Sequence, residues 1–308
     1  MQQNKPISFI IITYKRLADV LALLQNIASL SQAAELLQEV IVLNNDATDN
    51  LPSVQQYIAD TPAIPFRFVQ ANDNLGVTKG RNEALKYATG DICIFLDDDA
   101  ILENNDALIN TIKAFKQNTL QERSTAIVSF KVLYHSNRMF QRNALPHKQF
   151  DKYMHLPNFY TYYFAGGAHA IKRKILLDIG GLPEDFFYGM EEYDISYRVI
   201  EAGYAIKYDA SIVMLHKESP LGRKPNAEKW KMMWVNKCIV AYKYLPIKYF
   251  YTTAFMWSFQ YLKATKCNVN GWIAALRQIT QIPETQVRNK ISEKSIQYLK
   301  QCEARLWY

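Results

Sequence analysis

The 308-residue chain has little of what marks several common protein classes. Its four cysteines (Cys93, Cys238, Cys267 and Cys302) form no CxxC pair. That argues against a zinc ribbon or a disulfide scaffold and suggests a reducing compartment. No apolar run reaches the roughly 18 residues that a membrane-spanning helix needs. The start, MQQNKPISFIIITYKR, lacks the basic segment, long apolar core and small-residue cleavage site of a signal peptide, and reads as the approach to a strand. The expected location is therefore cytoplasmic. Glycine and proline number only 11 each, and no segment repeats at a fixed period, which excludes collagen-like, low-complexity and solenoid chains. Neither GxxxxGK[ST] nor GxGxxG occurs.

With 49 % hydrophobic residues, the chain is neither disordered nor too small to bury a core. Its net charge of +7 is uneven. Residues 221–308 carry 15 Lys/Arg against 4 Asp/Glu, so residues 1–220 are net acidic. A basic tail suggests an anionic surface as partner. Nucleic acid is not expected, because nothing in residues 1–220 serves it and their acid clusters oppose it.

Residues 1–100 alternate strand and helix. Ile7–Thr13, Glu39–Leu43, Phe66–Val69 and Asp91–Leu96 are short β-branched or apolar runs, and Leu17–Leu30 and Thr78–Tyr87 have helical spacing. This predicts an α/β fold with a mostly parallel, Rossmann-like sheet flanked by helices. Further strands are expected near Ala126–Leu133, Ala168–Lys172 and Ile206–Tyr208, with a helix from Ile195 to Ala202. After Pro220 long Lys-, Tyr- and Trp-rich helical stretches follow. The expected organisation is a first domain over 1–220 and a basic, aromatic helical region over 221–308.

Four constellations carry chemistry. Asp97-Asp98-Asp99 follows the apolar strand ICIFL, where open α/β sheets bind ligands. It reads either as a solvated acidic turn or as a site for a hard divalent cation, Mn²⁺ or Mg²⁺. Glu191-Glu192-Tyr193-Asp194 opens a helix behind aromatic residues. Helix capping accounts for one of these acids, Asp194, and a general base is a reading for the others. His216 ends an apolar strand, as a structural residue or as a metal ligand. The loop Asn72–Asn82 is polar and contains glycine, and Lys79 and Arg81 are available to phosphates.

Taken in order over residues 7–216, these segments resemble glycosyltransferase family 2, inverting enzymes of GT-A fold that use nucleotide-diphosphate sugars. Ser8–Arg16 is similar to the family's opening strand, which implies that Thr13, Tyr14 and Arg16 border the nucleoside. Val40–Asp49 resembles the base-reading segment, with Asn44 in place of the usual Asp and Asn45 beside it. Asn74, Gly76 and Arg81-Asn82 match the pattern near the diphosphate. The DxD motif falls on Asp97-Asp98-Asp99, which implies that Asp97 and Asp98 contact substrate and Asp99 a metal shared with His216. Ala165-Gly166-Gly167-Ala168 looks like the segment lining the sugar pocket. Glu192, with Glu191 before it, stands where the family has its catalytic acid pair.

The resemblance implies transfer of a hexosyl or deoxyhexosyl group from a UDP, dTDP or GDP sugar to a hydroxyl of a saccharide or lipid-linked acceptor, in bacterial surface polysaccharide synthesis. A non-catalytic sugar-nucleotide binder or scaffold is the alternative. In the tail, Tyr249–Leu262 is a charge-free aromatic stretch between Lys248 and Lys263, with Lys224, Lys229, Lys231, Lys237 and Lys243 nearby. It suits either an interfacial segment on an anionic membrane at the inner face, with Trp257 at headgroup level, or the packing of a helical subdomain or homodimer.

Overall fold

The computed structural model describes residues 5–116, 123–218 and 226–306. The expected boundary near residue 220, and Lys224, lie outside the described residues. The first half is β1 (Ile7–Thr13), α1 (Leu17–Ala28), α2 (Ala33–Leu36), β2 (Leu37–Asn44), α3 (Pro52–Asp60), β3 (Phe66–Gln70), α4 (Gly76–Leu85) and β4 (Ile92–Asp97). It continues through β5 (Ala100–Leu102), α5 (Ala107–Lys116), β6 (Thr125–Tyr134), α6 (Phe150–Tyr153), β7 (Asn158–Thr161), β8 (Ala168–Lys172), α7 (Arg173–Asp178), α8 (Glu191–Glu201) and β9 (Ala205–His216). Four helices follow: α9 (Asn226–Tyr244), α10 (Ile247–Ala264), α11 (Val269–Thr285) and α12 (Glu293–Gln301).

One sheet runs β3-β2-β1-β4-β8-β6-β9-β5, with β7 against β9. The parallel order read from the sequence holds from β3 through β4. Beyond it the sheet is mixed: β8 is antiparallel to both β4 and β6, and β6 and β9 are parallel. The short segments β5 and β7 lacked the length and alternation that would have announced them.

Strand parity explains where chemistry can sit. A strand turns successive side chains to opposite faces. Ile92, Ile94 and Leu96 join the core that also holds α1 and α3, whereas Cys93 and Phe95 join the core shared with α8, α9 and α12. Asp97 is next in the second series, so it reaches the face that the C-terminal helices cover. The register Ile12↔Asp97 and Thr13↔Asn44 brings three strand ends to one edge. Because β2 and β4 flank β1, the strand order reverses there, and such a switch point opens a crevice.

The tail closes on this face through one buried carboxylate. Asp194 in α8 is 1 % exposed and accepts hydrogen bonds from Arg198 Nε at 2.7 Å, Lys243 Nζ at 2.8 Å and the Tyr244 hydroxyl at 2.7 Å. It was expected to cap α8. It ties α8 to α9 instead, because two cations and a phenol reach it. A separate small core of Trp234, Cys238, Phe250, Tyr261 and Ile279 holds α9, α10 and α11 together.

Removing one partner of a buried ionic cluster strands the others. Asp194→Ala is expected to cost about 3 kcal/mol in urea unfolding. A loss below about 1 kcal/mol would show that the cluster is not what fastens α9.

Candidate active site

At the edge of β4 every aspartate has a cation within reach, and Asp98 and Asp99 share one. Asp97 accepts from Arg81 Nη2 at 3.0 Å, and Arg81 is itself 2 % exposed. Asp98 accepts from Arg16 Nη1 at 2.7 Å and from Thr13 Oγ1 at 2.8 Å. Asp99 lies 3.3 Å from Arg16 Nη1 and 3.3 Å from His216 Nε2. Burial lifts the Asp98 carboxyl to about 6 even though Arg16 draws it down. Burial opposes charge on His216, but the Asp99 hydrogen bond and the charges of Asp97 and Asp99 raise it above its ordinary value.

These contacts revise several expectations. Asp98 does not face the cavity: it is 5 % exposed, and its two oxygens hold Thr13 and Arg16, so it pins β1 to β4. Asn44 is fully buried. Its amide donates to Gln70 Oε1 and to the backbone of the 46–49 loop, and its Oδ1 accepts from the Asp46 amide, so it shapes that loop. Asn45 donates to the Gly76 carbonyl, and Asn74 accepts from the Gly76 amide. Gly76 has φ +73°, and a Cβ there would come within 2.9 Å of Phe187, so glycine is required. Tyr14 is half-buried and Lys79 is exposed.

A hard divalent ion fits a second grouping. One ligand atom each from Asp97, Asp99 and His216 lies within 4.8 Å of the other two. His216 Nδ1 lies 2.9 Å from Gln141 Oε1. As carboxamide oxygens only accept, Nδ1 carries a proton, and Nε2 faces the Asp99 carboxylate, where it would become a metal ligand on losing its own proton. Two carboxylates and an imidazole suit Mn²⁺ or Mg²⁺ with further positions for phosphate oxygens. Asp97, expected at the substrate, thus stands within the candidate metal set. Gln141 was missed, for nothing in its sequence surroundings marks it.

A cavity of about 630 Å³ opens beside this group. Arg81, Asp97, His216, Gly166, Gly167, Glu191 and Glu192 all border it. The two glycines let carboxylates come close. A Cβ on Gly167 would lie 2.1 Å from Asp97 Oδ2, and one on Gly166 would lie 3.1 Å from Glu192 Oε1. Glu191 and Glu192 start α8, and each has an Oε2 that is buried without a hydrogen-bond partner among the described residues. Burial drives both carboxyls above the usual range, and for Glu192 the charge of Glu191 adds to it. Buried acceptors left unsatisfied in a native fold await a ligand or water.

With that geometry in view, residues 8–180 match the family model described as Glycosyl transferase family 2. The chain belongs to glycosyl transferase family 2. A curated relative, an uncharacterized protein of Haemophilus influenzae, is 30 % identical over 178 residues, covering 58 % of this chain and 92 % of that one. The uncharacterized glycosyltransferase YfnE of Bacillus subtilis is 27 % identical over 236 residues, covering 59 % of this chain; the present chain spans only 57 % of its length. Among solved structures, S. aureus TarS 1–349 in complex with UDP-GlcNAc aligns with a TM-score of 0.62 at 17 % identity, over 90 % of this chain and 81 % of that one. The mannosyltransferase PcManGT of Pyrobaculum calidifontis, in complex with GDP-Man and Mn²⁺, aligns with a TM-score of 0.57 at 19 % identity, over 92 % and 75 %. These likenesses place the fold of this glycosyltransferase in the GT-A class. Among the described residues no helix is long and apolar enough to cross a membrane.

Gly167→Ala is expected to push the Asp97 carboxylate off its position and weaken Mn²⁺ binding about tenfold or more in calorimetric titration, while leaving the melting profile near wild type. Unchanged Mn²⁺ affinity would show that Asp97 is not a ligand.

Proposed function

We propose that this chain is an inverting, metal-dependent glycosyltransferase that moves a hexosyl or deoxyhexosyl group from a UDP, dTDP or GDP sugar to a hydroxyl of a saccharide or lipid-linked acceptor. The observation that carries the reading is the placement of Glu191 and Glu192, with unsatisfied oxygens, across the Gly166-Gly167 pair from Asp97. The nucleotide sugars in the TarS and PcManGT structures lend support at the level of fold.

In this reading Asp97, Asp99 and His216 would hold the cation, which would supply positive charge to the departing diphosphate. Arg81 adds a second positive charge from its buried seat beside Asp97. Gly166 and Gly167 let the sugar lie against backbone. Glu192 takes the acceptor proton as the acceptor oxygen attacks the anomeric carbon from the face opposite the leaving group, which inverts configuration. The raised affinity of Glu192 for protons suits that task, since a base must bind the proton it removes. Thr13, Tyr14, Arg16, Asn44, Asn45, Asn74, Gly76 and Asp98 shape the nucleotide side, several of them through each other. A non-catalytic sugar-nucleotide binder would not need the acid pair.

Glu192→Gln is expected to abolish transfer while retaining the thermal shift produced by nucleotide diphosphate with Mn²⁺. In the wild type, kcat/KM falls as pH drops through the pair's raised ionisation, because the protonated carboxyl cannot act as a base. That acid limb lies above the pH 4–5 expected of an ordinary glutamate. Near-normal turnover by the Gln variant, or an acid limb at pH 4–5, would assign the base elsewhere.

The tail supports a place at the inner face of the membrane, in surface polysaccharide synthesis. Tyr251, Phe255 and Phe259, at 64 %, 62 % and 56 % exposure, follow each other at four-residue spacing along one ridge of α10. Lys248, Lys263 and Lys266 are exposed around it. Trp257, expected at headgroup level, instead turns inward to the cavity wall, because α10 buries its other side on α9. Exposed aromatics ringed by lysine complement an anionic lipid surface. Vesicles with about one-third anionic lipid are expected to pellet the protein at low salt, and Phe255→Ser with Phe259→Ser to release it. No pelleting, with a mass that doubles as concentration rises, would make the ridge a homodimer contact.

A further inference from the structure

The cavity has a wall that the transfer chemistry does not account for. Lys148 precedes α6, Lys237 lies in α9, and Arg305 follows α12, yet all three line the same cavity as Glu192. Their charges act on one another: Lys148 feels Arg305 and Glu192, and Lys237 feels Lys148 and Glu192. The two lysines rest over a stacked tyrosine pair. Lys237 Nζ stands 3.1 Å from the centre of the Tyr193 ring and Lys148 Nζ stands 5.5 Å from that of Tyr163, and the rings themselves lie 5.0 Å apart. Among the described residues neither lysine has a carboxylate within ion-pairing distance. Trp230 and Trp257, with ring centres 6.1 Å apart, continue this wall.

Like charges gathered from three separate segments repel, and a fold tolerates this where an anion sits among them. Glu192 also acts on both lysines, but in the proposed reaction it is occupied with the proton of the incoming hydroxyl. Burial and the charge of Lys148 also hold the Lys237 ammonium well below its ordinary value, and a nearby anion would raise it.

We propose that Lys148, Lys237 and Arg305, beside the Trp230–Trp257 wall, form an acceptor subsite for a saccharide bearing an anionic group, a carboxylate or a phosphate ester, next to the hydroxyl that is glycosylated. The inference rests on the transferase reading for the word acceptor, but the anion site itself does not. Aromatic faces take the apolar faces of the sugar ring, the cations take the anion, and Glu192 is left facing the hydroxyl. Such a site also selects: a neutral sugar would bring no counter-charge to Lys148 and Lys237.

Three probes test it on the full chain: methyl β-D-glucuronide, the neutral methyl β-D-glucoside and inorganic phosphate, each followed by calorimetric or NMR titration. The glucuronide or phosphate is expected to bind and the glucoside at least about tenfold more weakly. Lys148→Ala, at an exposed position that tolerates change, and Lys237→Met are each expected to weaken anion binding about fivefold or more. Asp99→Asn, which removes a metal ligand, leaves it intact. Glucuronide preference over phosphate identifies a uronic acid as the anion's source, and the reverse a phosphate ester. Equal binding of glucuronide and glucoside, no binding of any probe, or unaltered anion affinity in both lysine variants overturns the proposal. Loss of nucleotide–Mn²⁺ binding in the wild type would defeat the transferase reading instead, without touching these titrations.

Discussion

Three adjacent carboxylates at the end of one strand are the constraint on which this structure turns. Ionised together and unpaired they would push the edge of β4 open. Partners from three elements answer them: Arg81 of α4 pairs with Asp97, Arg16 just before α1 is shared by Asp98 and Asp99, and His216 of β9 stands beside Asp99. Because those partners come from far apart in the chain, satisfying the charges also assembles the fold. Asp98 turns inward and becomes a structural pin, and Asp97 and Asp99 stay together with His216.

Glycine is what allows the second half of the site to approach the first. Gly166 and Gly167 lie just before β8, the strand at which the sheet changes from parallel to antiparallel pairing. The Gly167 carbonyl accepts the Asp97 amide at 3.1 Å, so the loop is stitched to the strand end directly. Side chains on that loop would occupy the space that Asp97 and Glu192 now fill. The approach of α8 to the sheet is in turn secured by Asp194, two of whose partners, Lys243 and Tyr244, belong to α9. A helix beyond the acid pair thereby helps set where the pair stands.

Much of the half built on β1 to β4 was legible because its signals are local. β-branched runs named β1, β2 and β4, and the acid triad stood at a strand end where parity alone sends Asp97 to the cavity side. The individual duties of these residues were less legible. Whether Asp98 faces a substrate or Arg16 depends on a contact 82 residues away in sequence, and Asn44's role depends on Gln70. Gln141 gave no sign at all, since a lone glutamine after a strand has no pattern. The aromatic stretch in α10 shows the opposite failure. Its composition was plain, but the division between inward Trp257 and outward Tyr251, Phe255 and Phe259 needed the packing of α9.

The family match ends at residue 180, before Glu191, Glu192, His216 and the whole tail. That division has a physical sense under the proposed function. A nucleotide diphosphate presents the same groups to many enzymes, so a strand end, an acidic motif and a glycine loop serve it with little variation. Acceptors differ, and whatever reads them must come from segments free to change. Here Lys237, Trp230 and Trp257 come from α9 and α10, and Arg305 comes from the chain after α12. The same helices carry the exposed aromatic ridge, so one appended layer would both meet the acceptor and set its orientation to a surface. Under the proposed function, coupling these tasks in one layer would fix the height of the cavity above that surface, and so how long an anchored acceptor must be to reach Glu192.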